Sequence, residues 1–234
     1  MAYGKDNTQA KGLDGLFHRS GINVIVADDH PVVVLGICKA LEDAPDLHLV
    51  AAATSITELR LALSQAPCDV LICDYSFEND GQPDGLQLLE RIRREFPQLK
   101  IILLTAYDDL LIVQYALRAG INGFLSKNSN EFTKLPDVIR RVFGGERYLD
   151  PSTSSLIIGQ LANGVPLSQS LTPATLTMRE TEVARLLTKG MSVTEIAQHT
   201  NRSVKTISAQ KKGVMTKLGA SNDIELANAL NRMF

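Results

Sequence analysis

Five polar residues stand where apolar runs of this 234-residue chain end. Asp28 and Asp29 follow Ile22–Ala27, Asp74 follows Val70–Cys73, Thr105 follows Ile101–Leu104, and Lys127 lies two residues beyond Gly123–Leu125. Short apolar runs rich in branched residues and bounded by polar turns predict buried strands of a parallel sheet. Chain leaving the carboxyl ends of such strands forms the rim where open α/β sheets bind ligands. Three carboxylates gathered there would repel one another unless a cation joined them. An all-oxygen ligand set favours a hard divalent ion such as Mg2+. The Thr105 hydroxyl and the Lys127 ammonium could hold oxygens of an incoming phosphoryl group, which makes Asp74 a candidate acceptor forming an acyl phosphate. Taken singly, each residue has an ordinary explanation: a helix start, a buried strand hydroxyl, a solvated loop charge. Their joint arrival at one sheet edge is what points to a site.

The elements that must position these groups are legible as a pattern. The apolar runs at Ile22–Ala27, Leu47–Ala53, Val70–Cys73, Ile101–Leu104 and Gly123–Leu125 alternate with segments of helical period. Those segments are Pro31–Glu42, Ile56–Gln65, Gly85–Glu95, Asp109–Ala119 and Glu131–Phe143. Five strands alternating with five helices predict a doubly wound parallel sheet. Pro31 suits a first helical turn, Asp84-Gly85 a turn, and Pro97 and Gly120 helix ends.

After Gly144-Gly145 the character changes. A short helix is predicted from Asp150-Pro151-Ser152 to about Leu161, followed by Asn163-Gly164-Val165-Pro166 and a Ser/Thr/Pro-containing stretch. Beyond Pro173 no strand pattern appears. Thr177-x-x-Glu180, Ser192-x-x-Glu195 and Asn222-x-x-Glu225 each read as a capping box before apolar residues at helical spacing, and Ser203 as a further N-cap. Gly190 and Gly219 fit C-terminal caps. Four helices are predicted, at 178–189, 193–199, 204–218 and 223–232.

Composition sets the bounds. An apolar fraction of 44% with 21% charged residues describes an ordinary globular protein. No apolar run approaches the roughly 20 residues that span a bilayer. The polar N-terminus has no signal-peptide core, so a cytoplasmic protein is expected. Cys38, Cys68 and Cys73 lie in apolar segments and are expected to be buried, reduced thiols. The four histidines are scattered without ligand spacing, so no metal–imidazole site is expected. Net charge is −2, unevenly divided: residues 173–234 hold nine Lys/Arg against five Asp/Glu, and the remainder fifteen against twenty-one. An acidic first part and a basic last part predict two domains with different partners.

The segment Asn201–Lys217 carries five basic residues and no acidic one. At about 100° per residue, Ile207, Val214 and Leu218 fall on one side. Lys205, Ser208, Ala209, Lys212 and Thr216 fall on the other. Such a helix can pack by its apolar face and enter a major groove by its basic, small-residue face. With Val193–His199 and the turn at Thr200-Asn201-Arg202 it forms a helix-turn-helix.

These motifs carry a family resemblance. Residues 22–145 resemble the receiver domain of two-component response regulators: an acidic pair after strand one, an Asp after strand three, Thr after strand four and Lys after strand five. The resemblance implies a five-stranded sheet of order 2-1-3-4-5 and phosphorylation on Asp74. It implies Mg2+ held by Asp29, Asp74 and the Ser76 carbonyl, with Asp28 acting largely through water, and Phe124 as an aromatic switch. Residues 177–234 resemble the DNA-binding domain of NarL/FixJ (LuxR-type) regulators through Arg179-Glu180-x-Glu182-Val183, Glu195-Ile196-Ala197, Lys205-Thr206-Ile207 and Lys217-Leu218. The stretch Asn201–Lys212, with Gln210 where the wider family has His, and Asn222-Asp223-Ile224 resemble the RcsB-type capsule regulators in particular. By that resemblance Ser208, Ala209 and Lys212 approach base edges while Lys205, Thr206 and Lys211 hold phosphates. The implied partners are promoter DNA, a histidine kinase or histidine phosphotransfer protein, a second copy when phosphorylated, and in some settings an auxiliary regulator. The implied division is a tail at 1–20, a receiver at 21–145, a linker at 146–173 and a small all-α helix-turn-helix domain at 174–234.

One departure stands out. The family follows its phosphorylated Asp with Met-Pro and a Gly eight residues on. Here Tyr75-Ser76-Phe77-Glu78 follows, and Gly85 lies eleven residues on, in a loop made acidic by Glu78, Asp80 and Asp84. The longer loop bears on Mg2+ affinity and acyl-phosphate lifetime. Two other readings compete. A metal-dependent aspartyl-phosphate hydrolase would need a second Asp two residues after Asp74, where Ser76 stands. A receiver working unphosphorylated, by pairing with another regulator, is the other.

Overall fold

The computed structural model describes residues 21–77, 80–106, 110–127, 130–162 and 176–231. The expected tail at 1–20, Glu78, and most of the stretch from Asn163 to the last domain lie outside them.

The sheet is built from β1 (Ile22–Ala27), β2 (Leu47–Ala53), β3 (Val70–Asp74), β4 (Lys100–Thr105), β5 (Gly123–Ser126) and β6 (Tyr148–Leu149). All neighbours are parallel, in the order β2-β1-β3-β4-β5-β6. The expected 2-1-3-4-5 order is present, and a sixth strand extends it. Two residues are too few to show a period, so Tyr148-Leu149 is invisible in sequence. It exists because the β5 edge offers unpaired backbone groups, taken up by Gly123↔Tyr148 and Phe124↔Leu149.

The interior strands are apolar throughout because both faces are covered. Helices α1 (Pro31–Glu42) and α5 (Leu135–Phe143, preceded by a 3-10 turn) cover one face. Ile37, Leu41, Ile139 and Val142 there pack on Val24, Val26, Ile72 and Leu104. Helices α2 (Ile56–Gln65), α3 (Gly85–Glu95) and α4 (Leu110–Arg118) cover the other. Leu59, Leu89 and Ile112 there meet Ile25, Leu71 and Leu103. Pro31 occupies the first turn of α1 as expected.

The predicted linker helix forms as α6 (Pro151–Ala162) and belongs to the receiver body. Its Ile157 joins the receiver core. The fully buried Asp150 accepts from the Thr153 N–H at 3.0 Å and the Ser126 N–H at 3.1 Å, capping α6 and fastening it to the end of β5.

The last unit comprises α7 (Met178–Thr188), α8 (Val193–His199), α9 (Val204–Leu218) and α10 (Asp223–Leu230). Full capping boxes start α7 and α8. Ser203 accepts from the Thr206 N–H at 3.0 Å, and Asn222 from the Glu225 N–H at 2.9 Å. The third expected box is incomplete: Glu225 reaches the Ser221 N–H, not that of Asn222. Gly219 closes α9 at φ +68°, where an L side chain is strained. Cys73 is buried, but Cys38 and Cys68 are only partly so, which corrects the expectation of three buried thiols; all three are free. No helix among the described residues is long and apolar enough to cross a membrane.

Candidate functional site

The topology brings the strand-end residues together. β1 and β3 are neighbours, and their connections leave to opposite faces, which opens a crevice at their carboxyl ends. Asp28 and Asp74 are 0% and 3% exposed at its floor. Lys127 arrives from β5 and bridges them: its Nζ lies 2.7 Å from Asp28 Oδ2 and 2.8 Å from Asp74 Oδ2. Thr105 and Phe124 are both buried, at the end of β4 and within β5. Ser76 is buried and two residues beyond the Asp74 carboxylate. Asp28, Asp29, Asp74, Thr105 and Lys127 thus come from four strand ends to one rim.

Burial pushes the Asp74 carboxyl up to about 6; Lys127 draws it down and Asp28 adds to the rise. Burial alone would lower the Lys127 ammonium, but the attraction of Asp74 and Asp28 raises it above its ordinary value. Among the described residues, three carboxylates and the Lys127 ammonium share the rim. That deficit of positive charge is what a divalent cation would relieve.

Atoms of Asp28, Asp29, His30 and Asp74 able to ligate a metal lie within 4.8 Å of one another. The carboxylates therefore fit the expected Mg2+ site. His30 is a correction: no imidazole was expected here, yet its Nδ1 lies 2.8 Å from Asp29 Oδ1 and 3.2 Å from Asp28 Oδ1. The cause is local. His30 is the N-cap residue of α1, and its N–H donates to Asp28 Oδ1 at 2.9 Å, so the ring folds back over the acidic pair. Adjacency to Asp28-Asp29 is the sequence signal for this placement.

On α9, Ile207 and Val214 are buried as the helical period requires, and pack into the small domain's two core clusters. Lys205, Thr206, Ser208, Ala209 and Lys212 are exposed. Lys211 is only partly exposed, its Nζ 2.7 Å from Asp223 Oδ1 at the start of α10. Gly213 permits α9 to cross α7 closely, since a Cβ there would stand 2.3 Å from Glu180 Oε1.

A second buried cluster was not foreseen. Arg185 on α7 is 0% exposed, and pairs with Asp84 of the receiver at 2.6 Å and with Glu182 at 2.8 Å. In sequence Glu182 stands only as part of a family motif, and Asp84 as a turn residue and loop acidity. Nothing in sequence spacing links positions about 100 residues apart.

Comparison with known proteins agrees with this architecture. The response regulator receiver domain family matches residues 24–140, and the luxR family of bacterial regulatory proteins matches residues 174–230. The transcriptional regulatory protein RcsB of Escherichia coli is 39% identical over 212 residues, covering 91% of this chain and 95% of that protein. A structure of RcsB from Salmonella typhimurium aligns with a TM-score of 0.75 at 38% identity, covering 92% of this chain and 98% of the other. RcsB from Salmonella enterica serovar Typhimurium, bound to promoter DNA with the phosphomimetic BeF3−, aligns with a TM-score of 0.74 at 39% identity, covering 91% and 99%. The chain belongs to the two-component response regulators that join a receiver domain to a LuxR-type helix-turn-helix domain.

Proposed function

We propose that this chain is a phosphorylation-controlled regulator of transcription. Its receiver takes a phosphoryl group on Asp74, and its C-terminal domain (174–234) binds promoter DNA through α9. The observation that carries the reading is Lys127 Nζ bridging Asp28 and Asp74 beside Asp29, a cationic anchor in a pocket still short of positive charge. Mg2+, if held by Asp29, Asp74 and the Ser76 carbonyl with Asp28 acting largely through water, would offset that charge and that of an incoming phosphoryl group.

An Asp74 carboxylate oxygen attacks phosphorus of the donor, a histidine kinase, a phosphotransfer protein or a small acyl phosphate. The bond from phosphorus to the donor breaks as the acyl phosphate forms. Lys127 then pairs with a phosphoryl oxygen and the Thr105 hydroxyl turns toward another. Phe124 follows into the space Thr105 leaves. Phosphorylation favours pairing with a second copy, which sets two α9 helices on two half-sites. Lys205, Thr206 and Lys211 hold phosphates, while Ser208, Ala209 and Lys212 meet base edges. The chain is no turnover enzyme: it takes the group from the donor and slowly loses it to water.

The test is labelling by acetyl phosphate with Mg2+. The wild-type chain gains one phosphoryl group and binds selected duplexes more tightly, and Asp74→Asn does neither. Persistent labelling of Asp74→Asn would remove Asp74 as the acceptor. A second reading is favoured by the exposure of Ser208, Ala209 and Lys212 while the two domains are in contact. In it the unphosphorylated chain binds DNA by pairing with an auxiliary regulator, and DNA affinity is indifferent to the phosphodonor.

A further inference from the structure

Asp74 is followed directly by residues whose side chains are held from the other domain. Tyr75 Oη donates to Glu182 Oε2 at 3.0 Å, and the Tyr75 ring lies under the Arg185 guanidinium, 5.2 Å from its centroid. Ser76 Oγ accepts from Arg185 Nη1 at 3.0 Å and also from Lys189 Nζ. The Phe77 N–H donates to Asp84 Oδ2 at 3.0 Å, and Asp84 is itself gripped by Arg185 through both oxygens, at 2.6 and 3.1 Å. Lys189 and His199 complete its shell at 3.3 and 3.2 Å. All three residues after the acceptor are thus tied, directly or through Asp84, to α7.

The loop is shaped for this contact. Gly85 sits at φ +58°, and a Cβ there would lie 2.8 Å from Glu182 Oε1 and 3.0 Å from Arg185 Nη2. The backbone angle calls for glycine, and the position lies directly against the ends of the α7 side chains. This is the glycine displaced to eleven residues beyond Asp74. The lengthened loop places Asp84 where it both holds the Phe77 N–H and receives Arg185.

The contact is no mask over the DNA-binding face. It uses α7, the end of α8 and the Thr200 carbonyl, which accepts from Gln87 Nε2 at 2.8 Å, whereas Lys205, Ser208, Ala209 and Lys212 stay exposed.

We propose that Arg185 of the DNA-binding domain is a positioning residue for the phosphoacceptor site. Through Ser76 and Asp84 it fixes the backbone that follows Asp74, so the receiver pocket is complete only while α7 is docked. The inference rests on the reading of Asp74 and Ser76 as the metal and phosphoryl site. Ser76 lies two residues beyond Asp74 and its Oγ accepts from Arg185 Nη1 at 3.0 Å, so one short stretch of backbone joins the acceptor to Arg185. Linkage then runs both ways: occupancy of the pocket tightens docking by the same factor by which docking tightens the pocket.

The experiment uses the full chain and isothermal titration with Mg2+ alone, then Mg2+ with BeF3−. Arg185→Gln is expected to weaken Mg2+ binding about tenfold, within the usual span of intramolecular coupling. Arg185→Lys recovers part of the loss, because a cation still faces Asp84 and Ser76. Small-angle scattering should show the wild-type chain compacting on adding Mg2+ with BeF3− and Arg185→Gln failing to do so. Should Arg185→Gln not fold, Tyr75→Phe and Glu182→Gln carry the test with a smaller loss, about threefold. Unchanged Mg2+ affinity in variants whose domains have separated overturns the proposal while leaving Asp74 as acceptor. A wild-type chain that binds neither Mg2+ nor BeF3− overturns it together with the reading on which it rests.

Discussion

Two clusters of buried charge lie at the two ends of the β3–α3 connection, at Asp74 and at Asp84, and they are balanced differently. In the strand-end pocket the Lys127 ammonium bridges Asp28 and Asp74, and the His30 ring lies beside Asp28 and Asp29. In the domain contact Asp84 and Glu182 face Arg185 and Lys189, with His199 alongside. The balanced cluster behaves as structure. Burial would raise the Asp84 carboxyl, but bonds from His199, Arg185 and Lys189 outweigh it and hold the group well below the usual carboxylate range. The unbalanced cluster does the opposite to Asp74, which burial lifts to about 6. Carboxylates paired closely with cations at one place and outnumbering the bonded ammonium at the other form the pattern expected if the second holds a ligand.

The comparison can be broken by neutralising one carboxylate in each cluster. Asp84→Asn strips Arg185 of its bidentate partner, and breaking a buried pair of this kind costs about 3–5 kcal/mol. Urea unfolding should show that loss, with the two domains melting separately. If stability is unchanged, the contact is not held by charge. Base contacts come next. Lys212→Ala should cost about 1–3 kcal/mol on a selected duplex and relax sequence preference there. Lys211→Ala should weaken all duplexes alike and also loosen α10, because Lys211 pairs with Asp223. Equal losses for Lys212→Ala on selected and random duplexes would count against base reading.

Asp29→Asn should move stability the other way from Asp84→Asn. It relieves repulsion in the metal-free pocket, raising the melting temperature by a few degrees, for roughly 1 kcal/mol, while weakening Mg2+ binding. A lowered melting temperature would show that the pocket is already balanced. Acidification separates the clusters by sign. A carboxyl depressed in the fold contributes stability above its unfolded value near 4 and loses it only as pH falls through the lower folded value. Asp84, facing Arg185, Lys189, His199 and Glu182, should therefore keep the domains docked at pH 5 and release them only well below pH 4, as small-angle scattering would follow. Release of wild type and Asp84→Asn at the same pH would exclude Asp84 as the titrating group. The smallest effect is expected from Ser203→Ala, which removes the α9 N-cap bond and costs about 1 kcal/mol of stability.

The placement of the strand-end residues was readable because each sits at a fixed offset from an apolar run, and an apolar run announces a strand wherever it lies. The same holds for α7, α8 and α9, whose capping residues write the helix starts locally. His30 was missed although it adjoins the acidic pair, since only the turn into α1 folds its ring back onto them. The resemblance implies a phosphate contact for Lys211, and only the packing of α10 beside α9 shows it also paired with Asp223.

What the sequence by itself determined is whatever depends on neighbours in the chain: which segments become strands and helices, where they start, and which polar groups stand at their ends. Tertiary structure alone decided the rest. It added Tyr148-Leu149 to the sheet edge, made α6 part of the receiver body, and joined Asp84 to Arg185 across 101 positions. The physical reason is that charge pairing and strand addition depend on distance in space, and the chain order carries no record of which distant groups will be brought within 3 Å.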